Sequence, residues 1–574
     1  MSVDLSIKVG GEAGQGLQTI GQVLSKAFLK DGLYVFANQF YLSRVRGGHN
    51  YYQIRISDSP ITAVRESINI LIALDKASIE EHLSELSDGV VLIDRDVVDI
   101  EEENEAIFHI PFLKMAKETS GSRLYANTVA IGAVLGILCC DFQPLVDVLT
   151  TIFKKKGDEI VENNIKAARE GYDYARRNYP KGCQYGLEGV EGVEGNMLIS
   201  GNEAVGLGAL ASGIKFVASY PMSPSTGVMT YVAANCDKFN VVVEQAEDEI
   251  SALNMVIGAS YTGARAMTTT SGGGFALMVE ALGLAGITET PAVIFLAQRP
   301  GPATGLPTMT EQGDLEFVLH AAQGEFPRCV LAPKTAEDAF YLTPKAFDLA
   351  DKYQIPVFIL SDQYLADSMF TCEKFDTSRI KIDRHLLSDA ELEQIEDYKR
   401  YKITESGISP RALPGQSKSL VVADSDEHNE EGHIDQTIDN RILMNEKRLR
   451  KFEGLEKEIA APEVYGPEKA DITLIGWGST YGALKESIDM LREDGINANL
   501  VQYSEIYPFA KDATMDILSD AKKNICIENN ATGQFARVLK VETGIQVSDH
   551  ILKYDGKPFT PEHIIRSLRA MEVI

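Results

Sequence analysis

What this chain has little of narrows its chemistry first. Its seven cysteines, at 139, 140, 183, 236, 329, 372 and 526, form no C-x-x-C pair and no Cys/His cluster with zinc spacing. An iron–sulfur cluster usually needs four thiolates, so this chain by itself offers no evident site for one. The odd count and the scatter fit reduced thiols in a cytoplasm. Long apolar runs are missing as well: the longest, near 129–140, is too short to span a bilayer. No basic segment followed by an apolar one opens the chain, so a signal peptide is not expected and the expected location is cytoplasmic. Positive charge is scarce. Lys and Arg number 55 against 83 Asp and Glu, a formal net charge of −28, which argues against nucleic acid or an anionic membrane as the partner.

What is there is a chain of 574 residues, too long for one core. Short apolar strands alternate with helical patterns, so the predicted fold class is α/β throughout. Breaks in composition predict three α/β domains at 1–185, 197–375 and 466–574. A Gly/Glu-rich linker (186–196) separates the first two, and a polar, extended connection (376–465) separates the last two.

In the first domain a strand at 3–9 runs into Gly10-Gly11-Glu12-Ala13-Gly14-Gln15-Gly16, then a helix and a strand at 34–37. This is a β–glycine loop–α–β unit, in which small residues let backbone N–H groups approach an anion at a helix N-terminus. The glycine spacing is not G-x-G-x-x-G, and no acidic residue ends the second strand, which argues against an NAD-linked dehydrogenase. Arg44 and Arg46 precede Gly47-Gly48 and could grip a phosphate or carboxylate.

In the second domain, strand ends lead into unusual loops. A strand at 213–219 meets Tyr220-Pro221-Met222-Ser223-Pro224-Ser225-Thr226; a strand at 239–243 meets Glu244, Glu247 and Glu249. A strand at 266–271 meets three glycines, and one at 291–297 meets a loop from Gln298 to Thr308. In a parallel sheet such loops gather at one edge. The glutamates either complement a helix N-terminus or place a carboxyl in the site, where burial retunes it. Arg299, ending an apolar strand, suits bidentate capture of a carboxylate, with Thr304 and Thr308 as neutral donors.

Taken in order, the segments 220–226, 244–249 and 298–308 resemble the α subunit of the 2-oxoacid:ferredoxin oxidoreductases. The first domain resembles the γ subunit of the same enzymes, fused ahead of it, through 10–16 and 46–48. The likeness continues through 426–434, 446–451, Pro508-Phe509 and 528–534. It implies that the central sheet is the pyrimidine-binding type found in thiamine diphosphate enzymes, and that the last domain is transketolase C-terminal-like. It also implies a reversible, coenzyme A-dependent oxidative decarboxylation of a 2-oxoacid, with electrons passed to ferredoxin. The fused γ-α order and the R-P-G-P-A-T-G-L-P-T loop look most like members that convert 2-oxoglutarate to succinyl-CoA. Pyruvate or a branched-chain 2-oxoacid is the alternative within the class. A non-catalytic subunit binding coenzyme A or a nucleotide is the alternative outside it.

On this resemblance Glu247 lines up with the family glutamate that bonds N1′ of the aminopyrimidine, with Glu244 as the second choice. Pro221 would lie against the cofactor, while Tyr220, Ser223, Arg299 and Thr308 would contact the substrate. Gly11, Gly14, Gln15, Gly16 and Arg46 would contact coenzyme A. Met222 and Ser223 stand where the family loop usually has Ile and Thr; serine keeps the hydroxyl and loses a methyl. There is no G-D-G followed by a distant Asn, the Mg-diphosphate motif of thiamine enzymes. The resemblance therefore implies a β subunit that brings the diphosphate site, Mg2+ and a [4Fe-4S] cluster, in an (αβ)2 heterotetramer.

Overall fold

The computed structural model describes residues 3–43, 47–100, 104–183, 185–416, 419–519 and 521–574. It divides into two compact units. One comprises Met1–Ile199, Asp367–Lys374 and Thr560–His563, and the other comprises Ser200–Ala366, Phe375–Phe559 and Ile564–Ile574.

The first unit is built on an eight-stranded sheet. Its strands are β1 (Asp4–Glu12), β2 (Tyr34–Phe40), β3 (His49–Ser57), β4 (Ile68–Ala73), β5 (Leu86–Ile93), β6 (Ile107–His109) and β7 (Met197–Ser200), with Met369–Cys372 between β2 and β7. The spatial order begins β6-β5-β4-β1-β3-β2. Helix α1 (Leu17–Lys30) follows β1 and buries Ile20, Val23, Leu24, Ala27 and Phe28, an apolar stripe at helical spacing. The expected β–loop–α–β order is present, but β1 and β2 are not neighbours. β3 lies between them, antiparallel to both. A short connection suffices for an antiparallel return, so β3 folds back directly into the gap that a parallel crossover would have closed.

Helices α2 (Ala126–Leu138) and α3 (Asp158–Asn178) cross at glycines: a Cβ on Gly132 would strike the Ala168 carbonyl, and one on Gly171 the Val129 carbonyl. That close crossing corrects the all-thiol expectation. It brings the chain beyond the end of α3 back to the C-terminal cap of α2, where Cys139 and Cys183, 44 residues apart, form a disulfide with Cα–Cα 5.7 Å. Cysteines 140, 236, 329, 372 and 526 are free.

The second unit contains β8 (Phe216–Ser219), β9 (Val242–Gln245), β10 (Ala266–Thr270), β11 (Ala292–Gln298), β12 (Cys329–Leu331) and β13 (Pro356–Asp362). These are parallel in the order β12-β13-β11-β10-β8-β9, and Glu505–Tyr507 adds an antiparallel strand beside β12. A second, five-stranded sheet is formed by Glu463–Tyr465, Ala498–Tyr503, Ile472–Trp477, Asn524–Glu528 and Asp549–Leu552. The α/β class and its three sheets are as expected. The last region nevertheless lends a strand to the middle sheet, and Leu296, Phe358, Trp477, Tyr503 and Phe535 share one core. The strand expected at 239–243 is displaced. Helix α4 (Thr226–Phe239) runs on to a left-handed cap at Asn240 (φ 54°), and the strand starts only at Val242.

Helix α5 (Glu249–Tyr261) follows β9, α6 (Gly272–Ile287) follows β10, and the short α7 (Leu315–His320) ends the loop after β11. In the connection, α8 (Ile438–Leu455) buries Lys447, Arg448 and Lys451 rather than presenting them to solvent. No helix among the described residues is long and apolar enough to cross a membrane.

Candidate functional site

Parallel β8, β9, β10 and β11 bring their C-terminal loops to one edge of the middle sheet. Two of the residues singled out from sequence meet there directly: Arg299 Nη1 donates to the Ser223 carbonyl at 2.7 Å. Ser223 itself is exposed, Tyr220 is 40% exposed, Pro221 is half-buried and Thr308 is buried.

The three glutamates after β9 separate by environment. Glu244 and Glu247 are exposed, whereas Glu249, the first residue of α5, is 3% exposed. The helix is capped by its neighbour, with the Asp248 carboxylate accepting from the Ser251 N–H at 2.8 Å. Glu249 is thereby released from capping, and its Oε1 is buried without a hydrogen-bond partner. The glycines opening α6 make room for this carboxyl. A Cβ on Gly274 would lie 2.5 Å from Glu249 Oε1 and collide with Thr270 Oγ1. Gly274→Ala is therefore expected to destabilise the protein by about 1–3 kcal/mol, read as a lowered Tm.

Around Arg299 the charges are mostly acidic. Burial weakens the guanidinium's hold on its proton, and Asp314 and Glu249 act in the opposite direction. Burial pushes the Asp314 carboxyl up to about 6, opposed by Arg299. Burial, then repulsion from Asp314, pushes Glu311 up to about 7. The loop carrying these groups is braced by the last sheet. Gln312 Nε2 donates to the Trp477 carbonyl at 2.9 Å, its Oε1 accepts from the Asn529 N–H at 3.0 Å, and Gln534 Nε2 donates to the Gly313 carbonyl at 2.7 Å. The segment 528–534 is thus a scaffold. Glu528, fully buried, accepts from the Phe535 and Ala536 N–H groups at 2.8 and 3.1 Å. Asp314 and Glu311 escaped the sequence reading because nothing local marks them; the Gln298 side chain, which accepts from the Asp314 N–H at 2.9 Å, ties Asp314 to the start of the loop.

In the first unit the glycine loop is shaped by contacts. Gln15 Oε1 accepts from the Glu12 N–H at 2.7 Å, in space that a Cβ on Gly11 would fill. Gly16 begins α1 at φ 81°, and Asn127 Nδ2 donates to the Gln15 carbonyl at 2.8 Å. A cleft of about 340 Å3 opens on one side, lined by Gly14, Gly16, Gln18, Gln39, Tyr41 and Asn50. Another of about 300 Å3 opens on the other, lined by Gln15, Asp94, Leu113, Arg123 and Asn127 as well as Gly14. Arg44 and Arg46 lie outside the described residues. Among the described residues, no group of three or more His, Cys, Asp or Glu could hold a metal ion.

Three family models match along the chain. They are pyruvate ferredoxin/flavodoxin oxidoreductase over 6–174, the thiamine diphosphate-binding region of pyruvate flavodoxin/ferredoxin oxidoreductase over 207–447, and core domain II of pyruvate:ferredoxin oxidoreductase over 470–564. Over 98% of its length the chain is 32% identical to the 2-oxoacid:ferredoxin oxidoreductase subunit alpha of a Sulfolobus species, covering 96% of that protein. The chain belongs to this family, as an α subunit. This α subunit is also 28% identical, over 98% of its length and 91% of the relative's, to the 2-oxoglutarate oxidoreductase subunit KorA of Mycobacterium tuberculosis. Among solved structures it is similar to the 2-oxoglutarate:ferredoxin oxidoreductase of Magnetococcus marinus, which was determined with 2-oxoglutarate, coenzyme A and succinyl-CoA bound. The TM-score is 0.92 at 33% identity, covering 99% of this α subunit and all of that chain.

Proposed function

We propose that this α subunit serves the coenzyme A-dependent conversion of 2-oxoglutarate to succinyl-CoA in the cytoplasm, with electrons delivered to ferredoxin. The observation that carries the reading is the buried Glu249 carboxyl, its Oε1 unpartnered, at the sheet edge that also presents Arg299. Thiamine diphosphate fits that feature. An orphaned carboxyl oxygen in a glycine-made recess is what an aminopyrimidine N1′ would satisfy, and we assign the role to Glu249 in place of Glu247, whose side chain is exposed. When bound, that cofactor supplies a stabilised carbanion equivalent for cleavage next to a carbonyl. The chain's own residues would do the rest. Glu249 would hold the aminopyrimidine and govern a proton on it, Arg299 would orient a substrate carboxylate, and Tyr220, Pro221, Ser223 and Thr308 would shape the pocket. Coenzyme A is assigned to the clefts flanking Gly14, lined in part by Gln15 and Gly16, with Gly11 on the same glycine loop and Arg46 as a further contact proposed from the sequence. A β subunit would complete the site with the diphosphate pocket, Mg2+ and an iron–sulfur cluster, in an (αβ)2 assembly.

Co-expression with the β subunit, then a screen of 2-oxoacids with coenzyme A and a viologen dye under anaerobic conditions, tests the reading. Turnover of 2-oxoglutarate in preference to pyruvate and branched-chain acids is the expected result; preference for another acid replaces the substrate. In the same assay Arg299→Ala is expected to raise the 2-oxoacid KM by about thirty-fold, roughly 2 kcal/mol of charge-assisted bonding, and to change the coenzyme A KM far less. Equal effects on both would remove Arg299 from the carboxylate site.

A further inference from the structure

The disulfide between Cys139 and Cys183 has two unlike ends. Cys183 lies in the chain just beyond α3 and is exposed. Arg176, in the last turn of α3 and also exposed, brings Nη1 to 2.6 Å from Cys183 Sγ. Cys139 caps the C-terminal end of α2 and is only partly exposed. Its Sγ lies 3.7 Å from the Gly136 carbonyl oxygen and 3.8 Å from that of Ile137.

A cation beside one sulfur and the carbonyl end of a helix beside the other act in opposite directions once the bond opens. The guanidinium favours a thiolate at Cys183. The negative end of the α2 dipole disfavours one at Cys139, and its carbonyls offer acceptors to a neutral S–H instead. Cleavage therefore has a preferred direction, with Cys183 as the leaving group. Cys140, next in the chain, does not compete: it is buried, and burial, then the charge of Asp31, pushes its thiol well up.

We propose that Cys139–Cys183 is a reversible redox site, opened by a small dithiol with Arg176 directing the cleavage, and that it ties down the stretch of chain after α3. A thiolate of the dithiol bonds to Cys139 Sγ, the Sγ–Sγ bond breaks, and its electron pair leaves on Cys183 Sγ beside the guanidinium. The reagent's second thiolate then attacks the reagent's sulfur in the mixed disulfide and expels Cys139, which takes up a proton. The dithiol ends as a cyclic disulfide and two electrons pass to the cysteine pair. Of the dithiol's two protons, one rests on Cys139 and one stays in solvent. Opening the bond leaves the helices in place. The Tyr172 hydroxyl donates to the Cys140 carbonyl at 2.9 Å, and Tyr179 is buried. Further on, the Val190 N–H donates to the Gly32 carbonyl at 2.8 Å. The stretch that loosens lies between Tyr179 and Val190 and carries the exposed Lys181.

The full-length chain, purified with its β subunit and kept under argon, is equilibrated without denaturant in mixtures of reduced and oxidised dithiothreitol. Alkylation and peptide masses then report each cysteine. Cys139 and Cys183 are expected to alkylate together as the reduced share rises, with Cys140 protected throughout. Reduction of Arg176→Gln should be about five-fold slower than that of the wild type, and Arg176→Lys should recover most of the rate. Trypsin should cut the native protein after Lys181 about ten-fold faster when it is reduced, and Cys183→Ser should be cut at the reduced rate in every mixture. Both cysteines alkylating in the most oxidising mixture would overturn the proposal. So would a bond that opens only in denaturant, an Arg176→Gln rate equal to the wild type's, or cleavage at Lys181 that ignores the redox state.

Discussion

Glu249→Gln in the assembled αβ enzyme is expected to lower kcat by about a thousand-fold while the 2-oxoacid KM stays within a few-fold. A positioned carboxyl that governs a proton contributes on the order of 10²–10⁴ in rate, and an amide of the same shape cannot exchange that proton. The substitution should not unfold the protein. Glu249 is buried with an unpartnered oxygen, so the wild type already bears the desolvation of a polar group with no compensating bond. A neutral isostere lightens that burden, and Tm is expected to stay level or rise, the usual relation between a strained functional group and stability. Glu247→Gln is the internal control. Its side chain is exposed, and its activity is expected to remain within about two-fold of wild type. Dye reduction under anaerobic conditions together with a melting curve decides the matter. Loss of activity in the Glu247 variant with retention in the Glu249 variant would reverse the assignment.

Glu289→Gln is expected to destabilise the second unit by about 3–5 kcal/mol near neutral pH, the cost typical of removing one partner from a buried charge cluster. Glu289 lies just beyond α6 and is fully buried. Its two oxygens face Lys447 and Lys451 of α8 at 2.5 Å each, and both lysines are themselves buried. Arg400 Nη2 donates to the Glu289 carbonyl at 2.7 Å. Burial alone would raise the Glu289 carboxyl, but the charges of Lys447, Lys451 and Arg400 outweigh it and hold the group well below the usual carboxylate range. Burial lowers the Lys447 ammonium to about 7, with Glu289 opposing and Lys451 assisting.

A lysine whose folded value lies near 7, against about 10.4 in an unfolded chain, sheds a proton on folding. Its contribution therefore disfavours folding most below pH 7 and improves as pH rises toward 10. Without Glu289 both lysines must be neutral to stay buried, and neutralising them becomes easier with every unit of pH. The deficit of Glu289→Gln should accordingly be largest near pH 6 and shrink by pH 9. Hydrogen exchange across 438–455 at both pH values measures this locally, which suits a chain of two units better than a single melting transition. Protection of α8 unchanged at pH 6 would show that the cluster does not hold the connection.

This cluster also shows where sequence reading stops. Lys447-Arg-Leu-Arg-Lys451 reads as a basic helical patch, and a solvated face is the ordinary outcome for such a run. The partner of its two buried lysines is one glutamate, 158 residues before Lys447 and just past the end of another helix. No local pattern connects the two, because an ion pair depends on proximity in space. The strand Glu505–Tyr507, which joins the middle sheet, escaped for the same reason.

What the sequence by itself determined was everything written in local order. The α/β alternation follows from apolar runs of strand length between helical periods. The loops at 220–226, 244–249 and 298–308 carry proline, glycine and charged residues that no plain connection needs, and their order marks the family. The absence of C-x-x-C spacing is equally local. Only the tertiary structure decided which of three neighbouring glutamates is buried, because Asp248 takes the capping role and Gly274 supplies the space. It alone paired Cys139 with Cys183, across two helices that pack closely at glycines. It alone set Asp314 against the glycine that opens α6. These choices depend on burial and on which side chains meet across elements, and both are properties of the packed chain.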